Sequence, residues 1–165
     1  MRCFAVLALV SAAVLNSASA LVDARERTTV TVDASAYDTR TKSDGGCNPS
    51  GCSADKSRDQ NTRNNSRWSC SEALENDQCT IMYQFDEPQD IVALDIQFYK
   101  GNERVRKLKV TGSGGFNEEI ESSGNTNGYE RFNINTDETA WLNMEGQGLG
   151  SNDWLSIKEV RFMVE

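Results

Sequence analysis

The most informative chemical feature of this sequence is a residue type that it lacks. None of its 165 residues is histidine. A Ser-His-Asp triad, a Cys-His pair and a histidine general base are therefore excluded, because each of them needs an imidazole to accept a proton. Any catalysis would have to use carboxylates, tyrosine, lysine or arginine. No paired-carboxylate motif stands out, although the carboxylates of glycosidases are paired in space rather than in sequence.

The cysteines predict disulfides. Four of the five, Cys47, Cys52, Cys70 and Cys79, lie beyond the N-terminal apolar run, and an even number in an oxidising compartment is typical of two disulfides. Of the three pairings, we favour Cys47–Cys52, which closes a turn containing Pro and Gly, and Cys70–Cys79, which closes a loop between two strands. The alternative is a zinc site, but its usual short cysteine pairs and histidines are absent.

The first 20 residues predict a signal peptide. Arg2 precedes an apolar run from Cys3 to Leu15, and Ala18-Ser19-Ala20 is the small-residue pattern that signal peptidase requires. The apolar core is about a dozen residues long, too short to cross a bilayer of roughly 30 Å. The alternative is an N-terminal core helix. We expect residues 1–20 to be removed and residues 21–165 to form one domain of a secreted protein, extracellular or in the cell wall.

The charge of the mature chain restricts its partners. Removal of residues 1–20 removes Arg2 from the 17 basic residues and none of the 25 acidic ones, so the net charge changes from -8 to -9. An acidic protein lacks the basic surface that releases counterions from nucleic acid, and general adhesion to anionic membranes is disfavoured for the same reason. We expect a monomer with no transmembrane segment and no nucleic-acid partner.

The mature chain has the pattern of an all-β protein. β-Forming residues alternate over residues 28–36, whereas residues 37–65 are polar and predict a long surface loop. Further strands are predicted over residues 79–85, 90–99, 105–110, 116–121, 129–134, 139–144 and 156–164. The first of these ends in a turn at Asp86-Glu87-Pro88, and alternation in the second places Val92, Leu94, Ile96 and Phe98 on one face. Short, regularly spaced strands without a long amphipathic helix indicate a sandwich or barrel.

Three motifs carry a resemblance to a known family. Ser66-Arg67-Trp68-Ser69, preceded by Asp59-Gln60-Asn61-Thr62, resembles the Asp-Gly-Asn…Thr/Ser-Arg-Trp-Ser signature of discoidin-like, or coagulation-factor type C, domains. Residues 90–104 are similar to the central hairpin of carbohydrate-binding modules appended to alginate lyases, and residues 148–160 to their final loop and strand. The resemblance covers roughly residues 28 to 165. The chain departs from the family pattern at Gln60, which replaces the usual Gly. The Cys47–Cys52 loop looks like an insertion relative to that pattern.

The resemblance implies a jelly-roll β-sandwich with a structural calcium ion. Calcium prefers several oxygen ligands from a flexible loop, and the expected ligands are Asp59, Asn61, Ser66 and Glu159, together with backbone carbonyls. A solvated turn rich in Asp and Asn is the alternative for this loop. Trp68 is expected in the core with Arg67 packed beside it. Asn64-Asn65-Ser66 is a glycosylation sequon that overlaps the loop.

The resemblance also implies that ligand-binding loops lie at one end of the sandwich. They would come from the loop after Tyr37, the Cys70–Cys79 loop and the Lys100–Arg104 turn. Sugar recognition needs an aromatic face and a few planar polar groups, and arginine can bind a carboxylate with two parallel hydrogen bonds. The candidate ligand-binding residues are Tyr37, Lys100, Asn102, Arg104, Asn152 and Trp154, and an ordinary turn or packed aromatic is the alternative for each.

The function that these features favour is a secreted, non-catalytic, lectin-like carbohydrate-binding domain. An acidic cell-wall or matrix polysaccharide such as alginate is the expected partner. Because the net charge of -9 would repel such a polymer at long range, binding would rely on a local basic patch, and a neutral, galactose-like glycan stays open. Two alternatives are a small polysaccharide lyase or hydrolase and an adhesion domain for a protein or membrane partner. The polar loops disfavour the adhesion domain, which would need exposed apolar tips.

Overall fold

Strands rich in β-branched and aromatic residues pair into two antiparallel sheets in the computed structural model of this chain. The structure describes residues 20–35, 47, 52–71, 79–147 and 154–165. The expectations for Tyr37, for Asn152 and for the signal peptide up to Ser19 lie outside the described residues. Within the described part of the chain, no helix is long and apolar enough to cross a membrane.

One sheet, called sheet A, is organised around the last strand of the chain. Among the described residues its strands are β1 (Val22–Asp23), β3 (Trp68–Ser71), β5 (Ala93–Phe98), β8 (Glu130–Asn133) and β10 (Trp154–Val164). Strand β10 pairs with β5 along one edge and with β3 and then β1 along the other, and β8 pairs with the far edge of β5. Strands β1 and β3 are short and were not predicted from the alternation of apolar residues.

The other sheet, called sheet B, contains strands from the middle of the chain. Over the described ranges these are β2 (Val30–Ala34), β4 (Thr80–Gln89), β6 (Lys107–Gly112), β7 (Asn117–Glu121) and β9 (Thr139–Gly146). They lie in the order β2, β4, β9, β6, β7. The two sheets pack face to face, which confirms the predicted β-sandwich.

A β-bulge in β10 lets this strand supply apolar side chains along its whole length. The pairing of β10 with β5 shifts register between Ile157 and Glu159. An extra residue reverses which alternate side chains face inward, so Ile157 before the bulge and Val160 and Phe162 after it are all fully buried. The Phe162 ring makes edge contacts with Tyr83 and Phe85, at centroid distances of 4.9 and 5.1 Å. The bulge also leaves Glu159 on the outer face of sheet A.

The structure corrects the predicted central hairpin. The strand predicted over residues 105–110 was expected to return beside the strand predicted over residues 90–99 after a turn at Lys100–Glu103, but β5 lies in sheet A and β6 lies in sheet B. The segment from Tyr99 to Arg106 therefore carries the chain from one sheet to the other. Every residue of β5 is buried, because its inner face packs on sheet B and its outer face is covered by polar side chains. Alternation within a strand does not reveal which strand becomes its partner.

Two smaller expectations are also wrong. Strand β4 continues through Asp86, Glu87 and Pro88 to Gln89, with a register shift after Gln84; an interrupted ladder tolerates proline, which has no N–H to donate. Residues 37–65 were expected to be surface loop throughout. Within them, a 3-10 helix at Ala54–Ser57 packs against the core. The Ser57 Oγ atom is buried and accepts a hydrogen bond from the Tyr83 hydroxyl at 2.9 Å.

The predicted disulfide pairing is confirmed. Cys47 is bonded to Cys52, and Cys70 is bonded to Cys79. All four side chains are buried. The second bridge connects the end of β3 in sheet A to the start of β4 in sheet B, so it ties the two sheets together at one end of the sandwich.

Candidate functional site

The turn that leaves β5 lies at the end of sheet A where β10 begins. Phe98 pairs with Ile157, and the Tyr99 N–H donates to the Ser156 carbonyl at 3.0 Å. Because the strands are antiparallel, the residues that follow Tyr99 lie towards Trp154, which pairs with Ser71 of β3. The structure therefore brings Lys100, Asn102, Arg104 and Trp154 to one end of the sandwich.

The turn is closed by its own side chains and by a neighbouring loop. Lys100 has a positive φ of 56°, and its Nζ atom lies 3.0 Å from Oε2 of Glu103. A β-carbon at Gly101 would lie 2.3 Å from the carbonyl oxygen of Thr126, so only glycine fits where the turn meets that loop. Both members of the Lys100–Glu103 pair are partly exposed, and such pairs contribute little to stability. A ligand carboxylate at Lys100 would compete with Glu103.

Arg106 is a residue of this region that the sequence analysis missed. It is only 3% exposed, because it points inward like Leu108 and Val110 on the following strand. Its Nη1 atom donates to the Val105 carbonyl at 2.9 Å, whereas its Nη2 atom is buried and has no hydrogen-bond partner among the residues that the structure describes. Burial, together with the charge of Arg104, lowers the pKa of Arg106 to about 10. The sequence signal for Arg106 is a charged residue at a core-facing position, in line with the buried Leu108 and Val110.

The Arg67-Trp68 pair has the structural role that was expected. Trp68 is fully buried, and Arg67 is 6% exposed. The Arg67 guanidinium lies 4.2 Å from the centre of the Tyr99 ring, and its Nε atom donates to Ser69 at 3.0 Å. These contacts attach the start of the turn to β3, so Arg67 supports the site from below and is not a surface for sugars.

The predicted calcium ligands come together around the loop from Asp59 to Ser66. Asp59 accepts hydrogen bonds from the Asn61 N–H at 2.8 Å and from the Ser66 hydroxyl. The Asn61 side-chain Oδ1 atom accepts a hydrogen bond from the Arg63 N–H at 3.2 Å. The backbone carbonyl of Asn61 is then the oxygen that this residue could offer to an ion. Glu159 reaches the same loop, because its Oε2 atom accepts from the Gln60 N–H at 3.0 Å.

Glu159 is completely buried and is held by a guanidinium group. Arg25 donates from Nη2 to Oε1 of Glu159 at 2.9 Å and from Nε to Asp23 at 2.7 Å. Burial raises the pKa of Glu159, while Arg25 and the Gln60 N–H oppose that rise. Asp23 is shared with Arg58 at 3.2 Å. Two carboxylates and two guanidinium groups therefore compensate one another on the outer face of sheet A.

The donor set is suited to a hard cation, but carboxylates alone could not hold it. Within the described ranges, no three acidic, cysteine or histidine side chains are grouped for metal binding. Asp59, Ser66 and Glu159 supply oxygens of the kind that calcium prefers. A calcium site here would need backbone carbonyls of the loop as its remaining ligands. Asn64 on the same loop is exposed, and the Ser66 of its sequon is buried.

Comparison with known proteins identifies the fold. The CBM32 of AlyQ in complex with 4,5-unsaturated mannuronic acid is similar at 21% identity and a TM-score of 0.62, over 79% of this chain and 92% of that one. An F5/8 type C domain from Bacteroides fragilis is similar at 13% identity and a TM-score of 0.57, over 88% of this chain and 95% of that one. The family 32 CBM from C. perfringens NanJ, in complex with galactose, is similar at 14% identity and a TM-score of 0.55, over 87% and 97%.

Comparisons of the whole sequence do not detect this similarity. A scan against protein-family profiles found no match, and a search of curated proteins found none. The chain nevertheless has the discoidin-like β-sandwich fold of these carbohydrate-binding modules and F5/8 type C domains. The predicted fold resemblance is confirmed.

Proposed function

We propose that this chain is a secreted, non-catalytic carbohydrate-binding domain that binds an acidic polysaccharide such as alginate at the Lys100–Arg104 turn. The observation that carries the proposal is the pair of guanidinium groups at Arg104 and Arg106 in a protein whose net charge is -8. Arg106 is buried beside this turn, and no carboxylate approaches it in the described part of the chain. A buried cation without an acidic partner is costly, so an anionic ligand at the turn would gain from its field.

The solved structures support a carbohydrate ligand and leave its charge to experiment. The similar module of AlyQ is in complex with an unsaturated mannuronic acid, whereas the similar module of NanJ is in complex with galactose. Only the acidic sugar has a carboxylate for the two arginines of the turn region. Charge complementarity therefore favours a uronate for this chain. The attraction acts when the carboxylate lies within the Debye length of about 8–10 Å from the arginines, because salt screens exposed charges at longer distances.

A structural calcium ion is part of the same proposal. Asp59, Ser66 and Glu159, with the Asn61 carbonyl and other backbone oxygens of the loop, are the proposed ligands. The support is that the Asp59 and Ser66 side chains are in contact and that Glu159 binds the intervening Gln60. The ion would hold the loop against β10, and this chain uses it for structure rather than for chemistry.

The decisive experiment compares two double variants that lose the same charge. Lys100→Ala with Arg104→Ala should weaken binding of an oligomannuronate by about 1–3 kcal/mol, the value of charge-assisted hydrogen bonds. Lys107→Ala with Lys109→Ala removes two cations from β6 and should leave affinity nearly unchanged. Isothermal titration calorimetry in low and high salt measures both, and binding by the native chain should weaken as salt screens the exposed charges.

Glu103, the ion-pair partner of Lys100, provides a variant whose expected effect on affinity is opposite. Glu103→Gln removes the carboxylate that competes for Lys100 at 3.0 Å, so it should strengthen oligomannuronate binding. Undiminished binding by the Lys100 and Arg104 double variant would place the site elsewhere. Release of new unsaturated or reducing ends from alginate would make the protein an enzyme and would contradict the proposal.

A further inference from the structure

A groove on the outer face of sheet A lies apart from the turn. Its volume is about 540 Å³, within the range of about 300–1,000 Å³ that is usual for small-ligand sites. Its walls are β1, the 3-10 helix at Ala24–Glu26, Gln60, and two residues of β10, Arg161 and Met163. Arg161 pairs with Asp95, five residues before the turn begins at Lys100, so the groove lies roughly 16 Å along the strand from the turn.

Of the two arginines in the groove, Arg161 has no acidic partner among the described residues. Asp23 and Arg25 belong to the compensated group that also contains Arg58 and Glu159. Arg161 does not share in it. Its guanidinium lies 4.0 Å from the centre of the Tyr129 ring, and such stacking holds the planar group in place.

Asp95, which pairs with Arg161 across the sheet, is already engaged. Asp95 accepts two hydrogen bonds from Arg131, from Nε to Oδ1 and from Nη2 to Oδ2, each at 2.7 Å. No salt bridge reaches Arg161 within the part of the chain that the structure describes. A fixed guanidinium of this kind is suited to a carboxylate with two oxygens.

Gln60 adds a second observation that points to a ligand. Its φ of 60° is in the left-handed region, which favours glycine and strains other residues. Glycine is also the usual residue at this position in the Asp-Gly-Asn signature that residues 59–61 resemble. Gln60 is exposed and lines the groove. Its side-chain amide makes no hydrogen bond to any described residue, whereas its backbone N–H donates to Glu159. A strained backbone conformation held by a residue other than glycine is typical of functional sites.

We propose that the groove is a second saccharide site that takes a uronate residue. Arg161 binds the sugar carboxylate, while the Gln60 amide donates to one ring hydroxyl and the Glu26 carboxylate accepts from another. Met163 and Val22 offer apolar surface to the C–H groups of the ring. This inference rests on and extends the proposed function, because it assigns the same class of polysaccharide to a site beside β1 and β10, away from the turn that follows β5.

The test is an NMR titration of the ¹⁵N-labelled chain from residue 21 with a mannuronate trisaccharide. The backbone amides of Arg25, Gln60 and Arg161 should shift and saturate as one group. The Kd of this group should rise about tenfold or more in both Gln60→Gly and Arg161→Gln, as expected for loss of a hydrogen-bonding partner of a charged ligand. A galactose trisaccharide, which has no carboxylate, should shift these amides at least tenfold more weakly.

Gln60→Gly separates binding from folding, because it removes the side chain and relieves the backbone. Its melting temperature should stay the same or rise. Glu138→Gly is the matched control: Glu138 also has a positive φ, of 42°, and lies on an exposed turn. It should leave the trisaccharide affinity of the groove unchanged.

The outcomes that overturn the inference differ from those that overturn the proposed function. The groove is not a site if its amides do not shift at millimolar trisaccharide, or if its Kd is unchanged in both variants. Equal binding of the galactose trisaccharide would overturn the assignment to a uronate. Shifts in the groove without shifts at Gly101–Arg106 would support the groove and contradict the proposed site at the turn.

Discussion

Arg58 and Arg106 are both buried guanidinium groups, and they lie in opposite electrostatic surroundings. Arg58 Nη1 lies 3.2 Å from Oδ1 of Asp23 and also donates to the Val160 carbonyl at 2.9 Å. Arg106 donates to the Val105 carbonyl and meets no carboxylate in the described part of the chain. One arginine therefore completes a compensated network, whereas the other holds an unbalanced charge beneath the turn.

Replacement of Arg106 by an apolar side chain should stabilise the protein. Arg106→Met removes a buried cation that has no ion-pair partner among the described residues, and we expect the free energy of unfolding to rise by about 1–3 kcal/mol. Urea denaturation at neutral pH measures it. Arg58→Met is the matched control and should lower the free energy of unfolding by about 3–5 kcal/mol, because it leaves Asp23 with less compensation. Equal destabilisation by the two variants would show that Arg106 is compensated in solution.

The gain in unfolding free energy that Arg106→Met gives should become smaller at high pH. The pKa of Arg106 is lowered to about 10 in the folded state, whereas the unfolded value is about 12.5 or above. Between these values the unfolded chain binds more protons, so the contribution of Arg106 to stability rises with pH. The difference in unfolding free energy between the variant and the native chain should be constant from about pH 7 to 9 and should fall above about pH 10. A constant difference up to pH 11 would contradict this.

Removal of calcium should lower the melting temperature. A ligand that binds only the folded state stabilises it by about 2.7 kcal/mol at one hundred times its Kd, so the shift should grow with free calcium. Asp59→Ala should abolish the sensitivity to chelator in differential scanning calorimetry. Asp137→Ala removes an exposed acid far from the loop and should keep it. An unchanged melt in excess chelator, with no metal found by elemental analysis, would disprove the site.

Local chemistry was enough to predict much of this molecule. Alternation placed Leu94, Ile96 and Phe98 on one buried face, and the strand signals located eight of the strands found among the described residues. The turn between Cys47 and Cys52 selected the disulfide pairing, since short loops close readily. The Asp59–Ser66 loop was recognisable because Asp, Asn and Ser side chains bind their own backbone. Each of these depends on residues that are neighbours in the chain.

Tertiary structure decided which strands became partners and which charges met. Nothing in residues 90–110 distinguishes a hairpin from a crossing between sheets, because that choice depends on which surfaces remain to be covered after β10 pairs with β5. The same holds for electrostatics. Asp23 and Glu159 are far apart in sequence, yet Arg25 joins them, while Arg106 and Arg161 meet no acid in the described part of the chain. An amino-acid sequence specifies the charges that a chain carries, and only the packing of distant segments determines which of them are compensated and which remain for a ligand.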